Sequence, residues 1–205
     1  MSTVAIADAD DRADLGAFVA RVVRLDATAT VRLCGAGGRI GVWAHTPFDV
    51  LATRSVSGDI EPSDVTAPAS TLLTALTVER SATVDPGQGG PWAGDLPPDT
   101  GWTVVDEVPA AELEALTERG LTLARENAGP LGPPASLLDQ TVLTVSDQDT
   151  TVKVPMRCLF ALSGMGFVGA DEDPVRVSAT GSWLRLDARY GAVVRRRLTA
   201  LPLLL

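Results

Sequence analysis

A segment rich in proline and glycine divides this sequence into two parts of similar length. Residues 85–101 have the sequence DPGQGGPWAGDLPPDTG, and residues of these two types interrupt both helices and strands. We therefore predict a loop or linker here, with an N-terminal α+β half over residues 1–84 and a C-terminal α+β half over residues 102–205. No predicted helix or strand therefore crosses this boundary.

The first half combines an amphipathic helix with alternating strands. Apolar residues at positions 15, 18, 19, 22 and 23 follow the spacing of one helix face, which predicts a helix over residues 11–25 with Asp11 as its cap. A short helix over residues 69–76 follows Pro68, which suits the first turn of a helix. Alternating segments predict strands at residues 30–34, 39–44 and 50–56.

The second half has the same kinds of element. Pro109 begins a predicted helix that extends to Asn127, and Pro155 begins a short helix over residues 156–163. Strands are predicted at residues 102–108, 141–146, 150–154, 174–179 and 182–188. A V-x-x-P pattern precedes a short helix in both halves, in VTAPASTLL and VKVPMRCLF, and either an internal duplication or chance explains the match. We predict an α+β fold of two similar halves with mainly antiparallel strands.

The charge distribution disfavours nucleic acid as a general partner. The chain carries a net charge of −9, which repels a phosphate backbone. Residues 176–205 are the exception, because six arginines there accompany a single acid, Asp187. We predict that five of these arginines form a basic patch for an acidic partner: Arg185, Arg189, Arg195, Arg196 and Arg197. The alternatives are internal ion pairs, with acids such as Asp8, Asp10 and Asp11, or a sheet edge protected by charge.

Two motifs raise the alternative of a small-molecule enzyme. Gly164, Gly166 and Gly169 form a G-x-G-x-x-G pattern, but a dinucleotide site needs these glycines between a strand and a helix. A strand-like segment follows them instead, which favours a turn after a helix. His45 is the only histidine, and a triad of His45, Asp49 and a serine is the alternative to a solvated turn histidine. We predict no catalytic residue, no cofactor and no metal site.

The cysteines and the start of the chain indicate a cytoplasmic protein. Cys34 and Cys158 have no C-x-x-C partner, so buried thiols are favoured over a disulfide. The chain starts without the basic and apolar regions of an export signal, and no apolar run approaches the roughly 20 residues of a membrane-spanning helix. Arginine greatly outnumbers lysine, a bias typical of GC-rich actinobacterial genes.

Two tryptophans occupy unusual positions in the predicted strands. Trp43 and Trp183 lie on the strand faces opposite the aliphatic residues. Such positions hold either aromatic side chains that bind a partner or side chains that another segment covers. The long loop at residues 85–101 offers such a cover, so we favour packing beneath it.

Several segments resemble the fold of the DNA sliding clamps, the processivity factors of replication. In the first half, TVRLCGAGGRIGVWAHTPFDVLATRSVSG and then DVTAPASTLLTAL are similar to the clamp pattern of hairpin strands followed by a short helix after proline. In the second half, the similar segments are TVKVPMRCLFAL and PVRVSATGSWLRLDA, and the chain ends in the apolar LTALPLLL, as bacterial clamps end near a short apolar strand. The resemblance covers most of the chain and implies a clamp-like fold.

The charges of the predicted helices depart from the clamp pattern. Clamp helices line a DNA channel with Lys and Arg, whereas the helix after Pro109 is mainly acidic. Its charged residues are Glu112, Glu114, Glu118, Glu126, Arg119 and Arg125. We therefore predict a non-catalytic binding or assembly protein with a clamp-like fold. Its expected partner is a protein or a second copy of the chain; DNA is less favoured, and no membrane association is expected.

Overall fold

The structure is a computed structural model that describes residues 2–79, 81–129, 133–169 and 173–197. The terminal segment LTALPLLL, which contributes to the clamp resemblance, lies outside these residues. The helices are α1 Ala9–Leu25, α2 Ala69–Thr74 with a π-helical continuation over Ala75–Glu79, α3 Ala110–Glu126, α4 Ala135–Leu138 and α5 Met156–Gly164. The strands are β1 Thr3–Ala5, β2 Thr30–Ala36, β3 Arg39–His45, β4 Leu51–Ser57, β5 Asp59–Glu61, β6 Asp64–Pro68, β7 Thr83–Val84, β8 Thr103–Val108, β9 Thr141–Ser146, β10 Thr151–Pro155, β11 Val175–Ala179, β12 Trp183–Ala188 and β13 Gly191–Arg196.

An eight-stranded antiparallel sheet joins the two halves. Its order is β6-β2-β3-β4-β13-β12-β11-β8, so each half supplies four neighbouring strands. The halves meet where β4 pairs with β13, with Leu51 opposite Val194 and Thr53 opposite Ala192. Two smaller antiparallel sheets, β5-β1-β7 and β10-β9, complete the pairing. The predicted α+β fold with mainly antiparallel strands is confirmed.

The two halves are similar in how they build this sheet. In each half a helix precedes a three-stranded meander that ends at the centre: α1 before β2-β3-β4, and α5 before β11-β12-β13. The outermost strands, β6 and β8, are each followed by a helix, α2 or α3. The two V-x-x-P segments occupy different positions in this arrangement, because β6 belongs to the large sheet and β10 to the two-stranded sheet. The V-x-x-P pattern therefore equates α2 with α5, whereas the symmetry of the large sheet equates α1 with α5 and α2 with α3.

Alternation along the strands decides which face of the large sheet forms the core. On β3, Ile40 and Val42 are fully buried, whereas Arg39, Gly41 and Trp43 face the other way. The buried faces of α1 and α5 cover the aliphatic side, α3 packs against α5, and Phe18 of α1 stacks on Phe167 with ring centroids 6.1 Å apart. The sheet thus has a helix side and an opposite side, which we call the outer face.

Helix α1 starts two residues earlier than its pattern predicted. The side chain of Asp8, which has extended backbone angles, accepts hydrogen bonds from the backbone N–H groups of Asp10 (2.8 Å) and Asp11 (3.0 Å). Asp8 is therefore the cap, and the proposed cap Asp11 lies within the first turn, where its charge suits the helix dipole. Asp8, Asp10 and Asp11 therefore lie at the start of α1, where they stabilise the helix and are not ion-paired with the described C-terminal arginines.

One glycine is needed for close packing at the centre of the core. A Cβ atom at Gly191, at the start of β13, would lie 2.5 Å from the ring of the fully buried Phe167. Any side chain here would push that ring out of the core.

No helix among the described residues is both long enough and apolar enough to cross a lipid bilayer.

Candidate binding surface

The proline- and glycine-rich segment 85–101 lies across the outer face of the large sheet. A small apolar cluster holds it there: Leu51, Trp183 and Val194 of the sheet are buried, and Trp43, Trp92, Leu96 and Trp102 pack against them. The backbone N–H of Gly89 also donates a 2.7 Å hydrogen bond to the carbonyl oxygen of Thr66 on β6. We call residues 85–101 the strap. The packing of Trp43 and Trp183 beneath it agrees with the favoured interpretation of their positions.

His45 anchors the strap to the end of β3. Its ring stacks on Trp92 with centroids 4.5 Å apart, and its Nε2 lies 2.9 Å from the carbonyl oxygen of Ala93. A carbonyl oxygen only accepts, so Nε2 carries the proton that is donated. Asp49 instead contacts Arg157 and Arg195, and no described acid is hydrogen-bonded to the ring. The considered triad of His45, Asp49 and a serine is therefore absent from the described residues, and the ring is exposed but held by the strap.

Beside the strap the outer face forms an open groove of about 520 Å³. Its floor consists of small residues in the middle of strands, Gly41, Thr53 and Ala192. A Cβ at Gly41 would meet only ordinary contacts, 3.6 Å from Nε1 of Trp43 and 3.7 Å from the carbonyl oxygen of Cys34. The contacts of this Cβ do not require glycine at this position, and because Gly41 lines the groove, a side chain there would project into it.

Four arginines and two aspartates line this outer-face groove: Arg39, Arg54, Arg185, Arg189, Asp99 and Asp187. Three of the arginines have carboxylate partners, in the pairs Arg54–Asp14, Arg185–Asp187 and Arg189–Asp173. Arg39 donates only to Oγ (3.1 Å) and the carbonyl oxygen (3.3 Å) of Ser55, and no described carboxylate forms an ion pair with it. Arg39 is therefore the guanidinium most available to an anionic group.

Aromatic rings extend the groove toward β8. A second hollow of about 460 Å³ continues to Trp102 and Val104, and it shares four residues with the first: Trp43, Asp99, Arg185 and Asp187. The guanidinium of Arg185 lies 5.9 Å from the ring centroid of Trp102, within the range of a cation–π contact. The indole Nε1 of Trp102 donates to the carbonyl oxygen of Pro98 at 2.9 Å. The groove thus combines aromatic faces with guanidinium groups.

The structure does not bring the five predicted arginines into one patch. Arg185 and Arg189 line the outer-face groove, and Arg196 lies on the same face, paired with Asp95 and 5.0 Å from the ring centroid of Trp183. Arg195 contacts Asp49 at 3.1 Å, and because strand residues alternate, its side chain leaves β13 on the opposite face from that of Arg196. Arg197 donates to the carbonyl oxygens of Thr180 and Thr151. Internal pairs thus involve acids other than Asp8, Asp10 and Asp11.

A buried arginine that was not predicted as a functional residue connects the halves. Arg157 of α5 donates to Oδ1 of Asp139 at 2.6 Å and to the carbonyl oxygen of Phe48 at 2.8 Å, and it lies 3.6 Å from Oδ2 of Asp49. Arg195 approaches the same two aspartates, so two guanidinium groups and two carboxylates form one cluster. The signal in the sequence was an arginine within an otherwise apolar short helix, which has to find a partner when buried. The cluster ties the turn after β3 to α5.

The two cysteines lie on different sides of the sheet. Cys158 of α5 is buried in the core, and desolvation raises the pKa of its thiol to about 12. Cys34 of β2 lines the outer-face groove and is partly buried; burial is the main cause that raises its pKa, with smaller contributions from Asp64 and Asp99. Both are free thiols, as the sequence indicated.

The glycine pattern of residues 164–169 forms a turn after a helix. Helix α5 ends at Gly164, whose carbonyl oxygen accepts a 3.0 Å hydrogen bond from Arg24, and Gly166 has a φ of +58°. A helix C-terminus presents carbonyl groups and repels phosphate, so this geometry opposes dinucleotide binding. Among the described residues, no group of His, Cys, Asp or Glu side chains is arranged to hold a metal ion.

The fold is that of a DNA sliding clamp. The structure is similar to the DNA polymerase sliding clamp from Bacillus subtilis (TM-score 0.62, 12% identity, covering 98% of this chain and 65% of that chain). It is also similar to the DNA polymerase III beta subunit from Pseudomonas aeruginosa (TM-score 0.59, 14% identity, 98% and 66%) and to pol III beta of Caulobacter crescentus (0.57, 16%, 98% and 66%). The chain therefore spans slightly less than two thirds of the length of these clamps. The resemblance predicted from the sequence is confirmed at the level of the fold.

The sequence also identifies a family. Residues 97–200, about half of the chain, match the model of a domain of unknown function, DUF8185. The protein therefore belongs to this family. Residues 1–94 match a second domain of unknown function, DUF8010. No match was found among curated proteins.

Proposed function

We propose that the protein is a non-catalytic binding or assembly protein with a clamp-like fold, and that it binds an acidic segment of a partner protein in the outer-face groove. The observation that supports this is Arg39, a guanidinium at the groove without a carboxylate partner among the described residues. Arg185 and Arg189, two of the five arginines predicted to bind a partner, line the same groove. Charge-assisted hydrogen bonds to such a group are the strong ones in protein recognition.

Duplex DNA is the less favoured partner because of the helix side. Helix α3 carries four glutamates and two arginines: Glu112, Glu114, Glu118, Glu126, Arg119 and Arg125. DNA binding depends on Lys and Arg that neutralise phosphates and release counterions. An acidic α3 on a chain of net charge −9 would repel a duplex instead.

Pairing between sheet edges of two copies is less favoured than an acidic partner. The outer strand β8 carries Asp106 and Glu107, and its register with β11 shifts between Val177 and Ser178. Charges and bulges of this kind protect an edge strand against pairing with another copy. At the other end of the sheet, the carbonyl oxygen of Thr66 on β6 already accepts a hydrogen bond from the strap.

The experiment measures fluorescence anisotropy of labelled probes. The probes are a decapeptide of Glu and Leu, the matching peptide of Lys and Leu, and a 20-base-pair duplex. We expect the acidic peptide alone to bind saturably. Arg39→Ser should weaken its binding about tenfold, as for the loss of a hydrogen bond between charged groups. Gly41→Leu should abolish it by filling the groove floor.

The matched control is Arg125→Ser, which removes the same charge from α3 on the helix side and should leave peptide binding unchanged. Equal affinity of the original protein and both groove variants would reject the outer-face groove as the site. Duplex binding tighter than about 1 μM at physiological salt, with the salt dependence of phosphate contacts, would instead establish DNA as the partner.

A further inference from the structure

An exposed valine of β8 borders the second hollow of the outer face. Val104 is 52% exposed, whereas its neighbour Val105 is 7% exposed and belongs to the core. Asp106 of β8 lies opposite Val177 of β11, and Val104 lies opposite Ser178. Val105 therefore has no partner residue on β11 and is the extra residue of a β-bulge. Bulges re-aim side chains and are frequent beside functional sites, and this one directs an apolar side chain to an open hollow.

Partly exposed aromatic rings surround this valine. Trp43 and Trp102 are only partly buried, and both line the second hollow together with Val104. The guanidinium of Arg185, which lies over the ring of Trp102, lines it as well. Aromatic rings pair favourably with one another and with guanidinium groups, and a hollow of about 460 Å³ accommodates one such ring. The second hollow therefore offers accessible apolar surface that suits an aromatic side chain.

Two buried hydroxyl groups on the same face are available to a ligand. Thr53 lines the outer-face groove and is 6% exposed, and Ser178 lines the second hollow and is 4% exposed. The hydroxyl of neither forms a hydrogen bond with any described residue. The buried hydroxyl of Thr46, by contrast, donates to the carbonyl oxygen of Val50 at 2.7 Å. Because buried polar groups normally have partners, these two hydroxyls point to polar groups of a bound segment.

Strand register gives the separation between the arginine site and the second hollow. Ser55, which accepts a hydrogen bond from Arg39, lies on β4, and Ser178 lies three strands away on β11. The pairing of β4, β13, β12 and β11 aligns Ser178 with Leu51, four residues from Ser55. With strands about 4.8 Å apart and about 3.4 Å per residue, the two serines are about 20 Å apart, or about six residues of extended chain.

We propose that the acidic partner segment lies extended across the outer face and places an aromatic side chain in the second hollow, about six residues from the carboxylate that Arg39 binds. The site depends on the proposed function, because the acidic anchor at Arg39 is common to both. Main-chain groups of the segment bind the hydroxyls of Thr53 and Ser178. The aromatic ring covers Val104, and the apolar area removed from water adds to the affinity. The two hollows share four lining residues, so one continuous segment reaches both.

The test measures fluorescence anisotropy of labelled peptides of equal charge with the complete chain. Each peptide has a run of glutamates followed by glycine and serine. The first carries phenylalanine six residues after the last glutamate, the second carries serine there, and the third carries phenylalanine two residues after it. Reversed sequences of all three cover both orientations of the segment. We expect the first peptide, in one orientation, to bind about tenfold more tightly than the other two, as for burial of an aromatic side chain.

Variants of the protein assign this advantage to the second hollow. Val104→Ser should remove most of it and leave the affinity for the serine peptide unchanged. Ser178→Ala should weaken the first peptide about threefold, as for the loss of one neutral hydrogen bond. The matched control is Val78→Ser, because Val78 is also an exposed valine, at 74%, but lies outside both hollows of the outer face. It should leave every affinity unchanged.

The outcomes separate this site from the acidic anchor. Equal binding of all the peptides that is still weakened by Arg39→Ser would overturn the aromatic site and leave the proposed function in place. An advantage of phenylalanine that persists in Val104→Ser, or that is equal at both spacings, would also overturn it. Absence of binding by every peptide would reject both the aromatic site and the proposed function.

Discussion

The helix side and the outer face of the same sheet are built in different ways. On the helix side, Val42, Leu33 and Leu186 are completely buried beneath long helices. On the outer face, Trp43 and Trp102 are only partly buried, and the strap that covers this face with Trp92 has no regular structure. The large apolar area removed from water lies on the helix side, which therefore supplies most of the stability. The outer face leaves charged and aromatic groups accessible to solvent at its grooves.

Charge distinguishes the two faces as well. The outer-face groove is lined by four arginines and two aspartates, whereas helix α3 on the helix side carries four glutamates and two arginines. Positive charge is therefore in excess at the groove of the outer face, and negative charge is in excess on α3.

The largest contrast between the faces is expected in thiol reactivity. Only the thiolate attacks a disulfide reagent, and a pKa of about 12 leaves Cys158 with a thiolate fraction of roughly one in ten thousand at pH 8. Cys34 borders the open groove, so it should react at least about a hundredfold faster with Ellman's reagent. We expect one thiol per chain to react in the native state and two in denaturant.

Cys34→Ser provides the control for that measurement, because it should leave no rapidly reacting thiol in the folded protein. Rapid reaction of two native thiols would show that α5 opens readily and that the helix side is not the more stable one.

Truncation of leucines on the helix side should have the largest effect on stability. Leu72 of α2 and Leu159 of α5 are 0% and 1% exposed, and loss of a fully buried leucine side chain costs about 2–5 kcal/mol. We expect Leu72→Ala and Leu159→Ala each to lower the free energy of unfolding in urea by an amount in this range. A loss below about 1 kcal/mol at either site would mean that its helix contributes little to the common core.

On the outer face, the comparable truncation should have a smaller effect. Trp92 is partly buried and stacks on His45, so Trp92→Ala should cost about 1–2 kcal/mol, within the usual range for partly buried sites. Trp92→Phe, which preserves an aromatic ring over His45, should recover most of the loss. A cost equal to that of Leu159→Ala would show that the strap is as much a part of the core as α5.

The sequence predicted the helix side better than the outer face, for a physical reason. Burial against helices imposes a periodic apolar pattern, and the buried residues 40, 42 and 44 of β3 and Leu15, Phe18 and Val19 of α1 display it directly. The strap has no period, so its proline and glycine content predicted a loop but not the surface on which it lies. His45 illustrates the limit, because its stacking partner Trp92 is 47 positions away in the sequence and no local pattern connects them.

Arginine roles were the least predictable part of the candidate sites. Arg195, Arg196 and Arg197 are consecutive, yet strand alternation and neighbouring loops give each a different partner. The sequence also gave no reason to group Arg39 with Arg185, which the pairing of β4 with β13 brings to one groove. Charges that meet through long-range strand pairing cannot be inferred from their local density.

The smallest expected effect concerns an ion pair at the edge of the outer face, between Arg32 of β2 and Asp64 of β6. Nε and Nη2 of Arg32 donate to the two carboxylate oxygens of Asp64 at 2.9 and 2.6 Å, and these hydrogen bonds lower the pKa of Asp64 against the opposing effect of desolvation. The side chain of Asp64 is 52% exposed, so solvent screens the pair and Asp64→Asn should cost only about 0.2–1 kcal/mol at pH 7.

The stability difference between Asp64→Asn and the original protein should depend on pH in a defined direction. A carboxylate whose pKa is lower in the folded than in the unfolded state stabilises the protein above its ordinary pKa, near 3.8 for Asp, and this contribution is lost as the pH falls through the lowered value. The stability difference between Asp64→Asn and the original protein should therefore be constant from pH 7 to about pH 5 and shrink below about pH 4. Asp59→Asn, which changes an acid without an ion pair among the described residues, is the control. A difference that grows on acidification would mean that Asp64 is destabilising as an anion, and that β6 is held to β2 by its backbone alone.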